Sequence, residues 1–227
     1  MAEKRVFSAT RSHFFYLLVS LFLLLLLQPF FAGAVLGRIV FLVCFSAVLF
    51  SAIYAVSENK RVFTLAVALA VPIFAGRWLD YFLESDFLNL IVHSGSVLFL
   101  GFTASVVLSH VLKDEEVTTD KIWGAICVYL LIGVTWALLF SVMEAIRPGS
   151  FQVAPTPGAG AWEKLPLFTY YSFVTLSTVG YGDVIPLNPV ARSFSFVEAV
   201  IGQIYLATLI ARLVGLHIAH SMKKGSR

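Results

Sequence analysis

Residues 175–183 read Thr175-Leu176-Ser177-Thr178-Val179-Gly180-Tyr181-Gly182-Asp183. Glycine stands at alternate positions, 180 and 182. A chain turns successive carbonyls to one side only by alternating its dihedrals, some at positive φ, where the absence of a Cβ removes the steric penalty. A row of main-chain oxygens presented this way replaces the water shell of a bare cation. On that reading Thr178 adds its hydroxyl at the inner end, and the carbonyls of Thr178, Val179, Gly180 and Tyr181 form the stack, which Gly182 closes. The side chains of Val179 and Tyr181 are left to pack outward and hold the ring open.

Working outward, the chain belongs in lipid. Of its 227 residues 59% are hydrophobic and 13% charged, with a mean hydropathy of +0.89, more apolar surface than a soluble domain of this size hides. A spanning helix needs about 20 apolar residues, because about 30 Å of hydrocarbon is crossed at about 1.5 Å per residue. Six runs meet or approach that length, at 13–31, 34–56, 62–82, 87–112, 122–145 and 189–220. Between the fifth run and the glycine-punctuated strand, 147–166 mixes Pro148, Pro155, Pro157 and Pro166 with Gly149, Gly158 and Gly160, which predicts an exposed loop without regular structure. The apolar, hydroxyl-rich run 167–177 makes a helix of about 16 Å, half a bilayer, and predicts a re-entrant element. Its carbonyl pole would lie near mid-membrane, where partial negative charge favours a cation. Non-helical backbone is tolerated at that depth only where it is buried in protein or lines water.

Basic residues set the orientation. With the N-terminus inside, 11 of the 16 Lys and Arg side chains fall on the cytoplasmic side, and Arg38, Arg77, Arg147, Lys164 and Arg192 fall outside with the acidic group Asp80, Glu84 and Asp86. The expectation is an integral protein of the plasma (inner) membrane with both termini cytoplasmic and the half-span entering from outside. Lys4, Arg5, the apolar run after them and Ala32-Gly33-Ala34 also look like a signal peptide. A second span follows almost at once and leaves no exported domain, so the first run is read as uncleaved. Cys44 and Cys127 both sit inside apolar runs and are expected as small buried hydrophobes rather than disulfide partners. A net charge of +3, scattered at span ends, offers no nucleic-acid surface. No metal-spaced His/Cys/Asp/Glu cluster, nucleophile elbow or phosphate loop suggests an enzyme or a soluble substrate, and the two halves lack the similarity a carrier would show.

The string from Thr175 to Asp183, with a long helix, a loop and a short helix before it and a long helix after, closely resembles the signature of the potassium channel pore family. The resemblance covers 122–216; the first four spans match only in number. It implies an all-α membrane protein with six transmembrane helices, a re-entrant pore helix and an extended selectivity filter. Four such pores surround one axis in the family, so a homotetramer is implied, with three further copies of the chain and membrane lipid as partners. The implied function is passive, potassium-selective conduction, with K+ held at Thr178, Val179, Gly180 and Tyr181 and no cofactor beyond the permeant ions. Divided accordingly, 1–12 is a cytoplasmic N-terminus, 13–112 a four-helix transmembrane domain, 113–121 a cytoplasmic linker and 122–220 the pore domain, with 221–227 a cytoplasmic tail. Within the pore domain the outer helix takes 122–145, the turret 146–166, the pore helix 167–177, the filter 178–183 and the inner helix 189–220.

Support for the filter is expected from Thr175, from Asp183 just outside it, and from Tyr170 and Tyr171 as an aromatic collar, the alternative for the tyrosines being anchorage at the membrane interface. Asn188-Pro189 is a polar cap followed by proline at the first helical position, a clean start for the last helix. Gly202, halfway along it, suits either a gating hinge or close packing against the pore helix. Glu198 lies about 14 Å along the same helix and suits either electrostatic tuning of the filter or a hydrogen bond behind the pore helix. Arg77, Asp80 and Glu84 share one helical face and predict a snorkelling ion-pair strip, and His93 reads as a satisfied buried histidine or a proton sensor.

The plan departs from voltage-gated channels, whose fourth span carries regularly spaced arginines. Between 87 and 112 there is no Arg or Lys, so no gating charge of that kind is present. The last helix has no late Pro-x-Pro kink, and the tail after His220 is too short for a ligand-sensing domain. Lys113-Asp114-Glu115-Glu116 is the charged segment joining the first four spans to the pore, or else a solvated turn. A non-conducting modulatory subunit is the competing role, and the intact filter string argues against it.

Overall fold

In hydrocarbon a backbone has to satisfy its own N–H and C=O groups, and these apolar runs do so as helices. The computed structural model describes residues 13–28, 35–57, 59–83, 85–113, 118–153 and 164–225. In chain order the elements are α1 (His13–Leu27), α2 (Val35–Ala55), α3 (Lys60–Leu83), α4 (Asp86–Lys113), α5 (Thr119–Ile146), β1 (Phe151–Gln152), α6 (Leu165–Leu176), β2 (Ile185–Pro186) and α7 (Pro189–Gly225). The protein is an all-α membrane protein, in which α2, α3, α4, α5 and α7 are long and apolar enough to cross a bilayer.

Three features differ from the sequence expectation, and a fourth reading, the first run, is described only in part. The first run, read as a sixth full span at 13–31, is described as helix over His13–Leu27. It ends in a turn at Gln28, a residue that the following Pro29 steers away from helical dihedrals, and residues 29–34 lie outside the described ones. The loop read as irregular at 147–166 contains β1, which pairs antiparallel with β2 so that Phe151 faces Pro186 and Gln152 faces Ile185. The short helix starts at Leu165 rather than 167, because Pro166 falls in its first turn, where a missing N–H costs nothing. Helix α5 likewise starts earlier, at Thr119, with the Thr118 hydroxyl accepting from Lys121 N at 3.3 Å. The acidic residues 114–116, the signal-like segment around Ala32 and residue Glu84 fall outside the described residues.

Consecutive helices α1 to α5 lie against one another, and α1 closes back onto α5. Polar contacts tie the apolar surfaces together, as expected where burial in lipid gives little drive of its own. Ser20 and Ser51 share a hydrogen bond of 2.8 Å between α1 and α2. Phe14 N donates to Asp120 Oδ1 at 3.4 Å, and the Cys127 thiol donates to the Phe14 carbonyl at 3.4 Å. Of the expected strip, Asp80 interacts with Arg77 and Glu84 lies outside the described residues, but Arg77 turns inward rather than snorkelling. Its guanidinium stacks over Phe45 at 4.3 Å and Phe41 at 5.2 Å and reaches toward His93 Nε2 and Ser96 Oγ, each at 3.5 Å. His93 Nδ1 lies 2.9 Å from the Asn89 carbonyl, an acceptor only, so the ring donates there and presents the Nε2 lone pair to Arg77. The reason is local: two aromatic faces and two acceptors offer the cation more than lipid headgroups would.

Helix α6 is wedged between α5 and α7. It crosses α7 at Gly202, where a Cβ would collide with the Leu176 carbonyl, a backbone atom with no room to yield. Lower on α7, the Tyr205 hydroxyl donates to the Ala125 carbonyl of α5 at 2.5 Å. We expect Gly202→Ala to push α6 and α7 apart and to cost about 1–3 kcal/mol, read as a lower melting temperature of the detergent-solubilised protein; unchanged melting would show that the crossing tolerates a methyl.

Candidate functional site: the strand after α6

Helix α6 ends at Leu176, and its last carbonyls are taken by the strand that follows. Thr178 N donates to Thr175 O at 2.9 Å, Val179 N to Val174 O at 2.9 Å, and Gly180 N to the same Val174 O at 3.4 Å. Because a trans peptide sets its C=O opposite the next N–H, these three bonds turn the carbonyls of Ser177, Thr178 and Val179 away from α6. Positive φ occurs at Thr178 (60°), Gly180 (58°) and Gly182 (78°), every second residue. Glycine accepts that conformation freely, whereas for Thr178 it costs on the order of 1–2 kcal/mol. Residues 177–183 are all exposed in the single chain, with Val179 at 53% and Tyr181 at 72%. Carbonyl oxygens thus emerge on the side away from the scaffold, next to the negative pole of α6.

Two layers hold this strand. Tyr170, exposed, lies parallel to the Tyr181 ring at 6.5 Å and faces the Asp183 carboxylate, while Asp183 Oδ1 accepts from Val184 N at 3.2 Å. Tyr171 points the other way, its hydroxyl donating to Ser195 Oγ on α7 at 2.8 Å. It joins Phe140, Phe151 and Phe168 in an aromatic cluster with ring centroids 5.1–5.6 Å apart. Pairs of this geometry contribute about 0.5–1.5 kcal/mol each beyond their packing. Strand β1 delivers Phe151 to the cluster, and around it Leu187 N donates to Ser150 O and Asn188 Nδ2 to Ser150 Oγ, both at 2.8 Å. Asn188 Oδ1 also caps α7 by accepting from Ala191 N at 2.8 Å.

A family model described as "Ion channel" matches residues 124–217, the stretch that carries α6, the strand and most of α7. Protein LctB of Geobacillus stearothermophilus is 31% identical over 122 residues, covering 52% of this chain and 89% of that protein. The chain belongs to the ion channel family. Two pore potassium channel c of Oryza sativa subsp. japonica is 35% identical over 86 residues, 38% of this chain and 16% of that one. The inward rectifier potassium channel Kirbac3.1 of Paramagnetospirillum magnetotacticum is 32% identical over 83 residues, 35% of this chain and 23% of that one. No solved structure matches the chain.

Several residues of this channel escaped the sequence reading. Glu144, buried in the last turn of α5, accepts from the amides of Gly149 (3.3 Å), Ser150 (2.9 Å) and Phe151 (3.3 Å) and from Lys164 Nζ (3.2 Å). One carboxylate therefore gathers both ends of the loop between α5 and α6. A charge at the end of an apolar span, just before Pro148-Gly149-Ser150, was its signal. Thr178 at positive φ could have been found by carrying the alternation of Gly182 and Gly180 one step further back. Ser172, at the centre of α6, lies 2.7 Å from the Gly133 carbonyl of α5 and 2.5 Å from Glu198 Oε1 of α7, and no spacing in the sequence announces that meeting. Replacing Glu144 with alanine leaves three amides and a lysine without their acceptor. The expected loss is at least about 3 kcal/mol of stability, read by thermal melting, together with faster proteolysis of the loop between α5 and α6.

Proposed function

We propose that four copies of this chain surround one axis in the plasma (inner) membrane and let potassium ions pass passively down their gradient. The filter is the strand 178–182, with the Thr178 hydroxyl and the carbonyls of Thr178, Val179, Gly180 and Tyr181 as the ion ligands and Gly182 at its outer end. Asp183, Tyr170, Tyr171 and Thr175 serve as its supports. The observation that carries this reading is the alternation of positive φ at Thr178, Gly180 and Gly182, which is what a row of like-facing carbonyls requires. The exposure of the same strand supports it, since a surface of bare carbonyls and unpacked Val179 and Tyr181 side chains is suited to other copies of the chain and a shared aqueous axis. That two relatives bear the name potassium channel points to the ion. Both termini are placed in the cytoplasm on the bias of Lys and Arg. The protein transports rather than catalyses, and its only small partner is the permeant ion.

Reconstituted in liposomes under opposed K+ and Na+ gradients, the purified protein is expected to set a reversal potential close to that of K+; equal permeability to both ions would overturn the assignment. Gly180→Ala is expected to abolish selective flux. No described atom of the same chain lies within 4 Å of an added Cβ at this position, where φ is +58°, so the effect within each chain is conformational. It amounts to about 1–2 kcal/mol in each chain and about 4–8 kcal/mol over four.

A further inference from the structure

The meeting of Ser172, Gly133 and Glu198 poses a question of hydrogen count. Ser172 Oγ has one proton and two close oxygen neighbours, the Gly133 carbonyl at 2.7 Å and Glu198 Oε1 at 2.5 Å. The carbonyl can only accept. If Glu198 were a carboxylate it too could only accept, and one of the two contacts would press lone pairs together with no hydrogen between them. Both contacts are satisfied in one way: Ser172 donates to Gly133 O, and Glu198 donates to Ser172 Oγ. A second observation agrees. Glu198 is fully buried and its Oε2 has no hydrogen-bond partner among the described residues, an arrangement far costlier for a carboxylate than for the carbonyl oxygen of a neutral acid. No cation is paired with it among the described residues; Lys164 is paired with Glu144 instead. The titratable groups facing it are the phenols of Tyr129 on α5 and Tyr171 on α6.

We infer that Glu198 is a protonated, uncharged acid that positions the pore helix, its hydrogen running Glu198 to Ser172 to Gly133 and so fastening α7 to α6 to α5. One turn further along α6 is Leu176, whose carbonyl rests on Gly202, and between them Val174 O holds the amides of Val179 and Gly180. The axial position of α6 therefore sets the position of the strand, and Glu198 sets that of α6. Removing the proton turns a donor into an acceptor, so that Ser172 can hold only one of its two neighbours and the chain of bonds from α7 through α6 to α5 is cut, and it leaves an unpaired charge inside the protein. The flux part of this inference rests on the conducting role proposed above; the proton itself does not.

The test combines infrared spectroscopy with liposome flux. At neutral pH the wild-type protein should show the carbonyl stretch of a protonated carboxylic acid that is missing from Glu198→Gln. Raising the pH until that band disappears should lower wild-type K+ flux several-fold and reversibly. Glu198→Gln, which still donates to Ser172, should keep selective flux at neutral pH and lack that alkaline step, so that a step caused by Tyr129 or Tyr171 is told apart. Glu198→Ala should lose flux, thermal stability or both. A wild-type spectrum identical to that of Glu198→Gln would overturn the inference, as would an alkaline step that survives in Glu198→Gln. If the wild-type protein carries no K+ at all, the conducting role fails while the infrared difference still decides where the proton is.

Discussion

One backbone acceptor, the Val174 carbonyl, governs the candidate site. A strand that offers its oxygens away from the scaffold has to dispose of its amides on the other side, and at membrane depth there is no lipid group to take them. Val174 O accepts from both Val179 and Gly180 because α6 stops just there, leaving its last carbonyls without helical partners. Helix end and strand solve each other's deficit. The same bonds that satisfy the amides aim the carbonyls, so the geometry is a by-product of backbone accounting rather than of any special side chain. The glycines make the required dihedrals cheap, and Thr178 adopts them at some cost, held by the contacts on either side.

The rest of the pore half keeps α6 at one height. Phe140 of α5 and Phe151 of β1 pack on Tyr171 and Phe168 of α6, and Glu144 closes the loop that brings Phe151 there. Gly202 lets α7 approach to backbone contact below, and Ser172 pins the middle from two sides. The four helices before α5 show a different economy. Their polar groups are spent internally, as where Asn89 donates to Asp80 at 2.9 Å while its carbonyl holds His93. Arg77 lies over two aromatic faces, with Asp80 near enough to interact with its charge.

Much of this was legible in the sequence, and the reasons are physical. Apolar runs of bilayer length announce spanning helices because lipid leaves the backbone no alternative, and α2 to α5 and α7 follow them. The alternating dihedrals of 178–182 were legible because alternate glycines relieve positive φ, and positive φ does recur at Thr178, Gly180 and Gly182. What stayed hidden depended on partners distant in the chain. Nothing local marks Phe151 and Gln152 as a strand; they become one because 185–186 runs beside them. Arg77 looked like an interface cation because helical spacing shows which residues share a face but not that Phe41 and Phe45 occupy the space before it.

The closure of α1 onto α5 carries a consequence for how the chain is made. Helices α4 and α5 are neighbours joined by a few residues, and such a hairpin meets its partner almost as soon as it is synthesised. Helix α1 meets its partners, Asp120 and Cys127, across 106 and 113 residues of chain. Those two contacts can close only after α5 has been made, more than 100 residues further along the chain, so α1 gains its place from a helix that does not yet exist when α1 does.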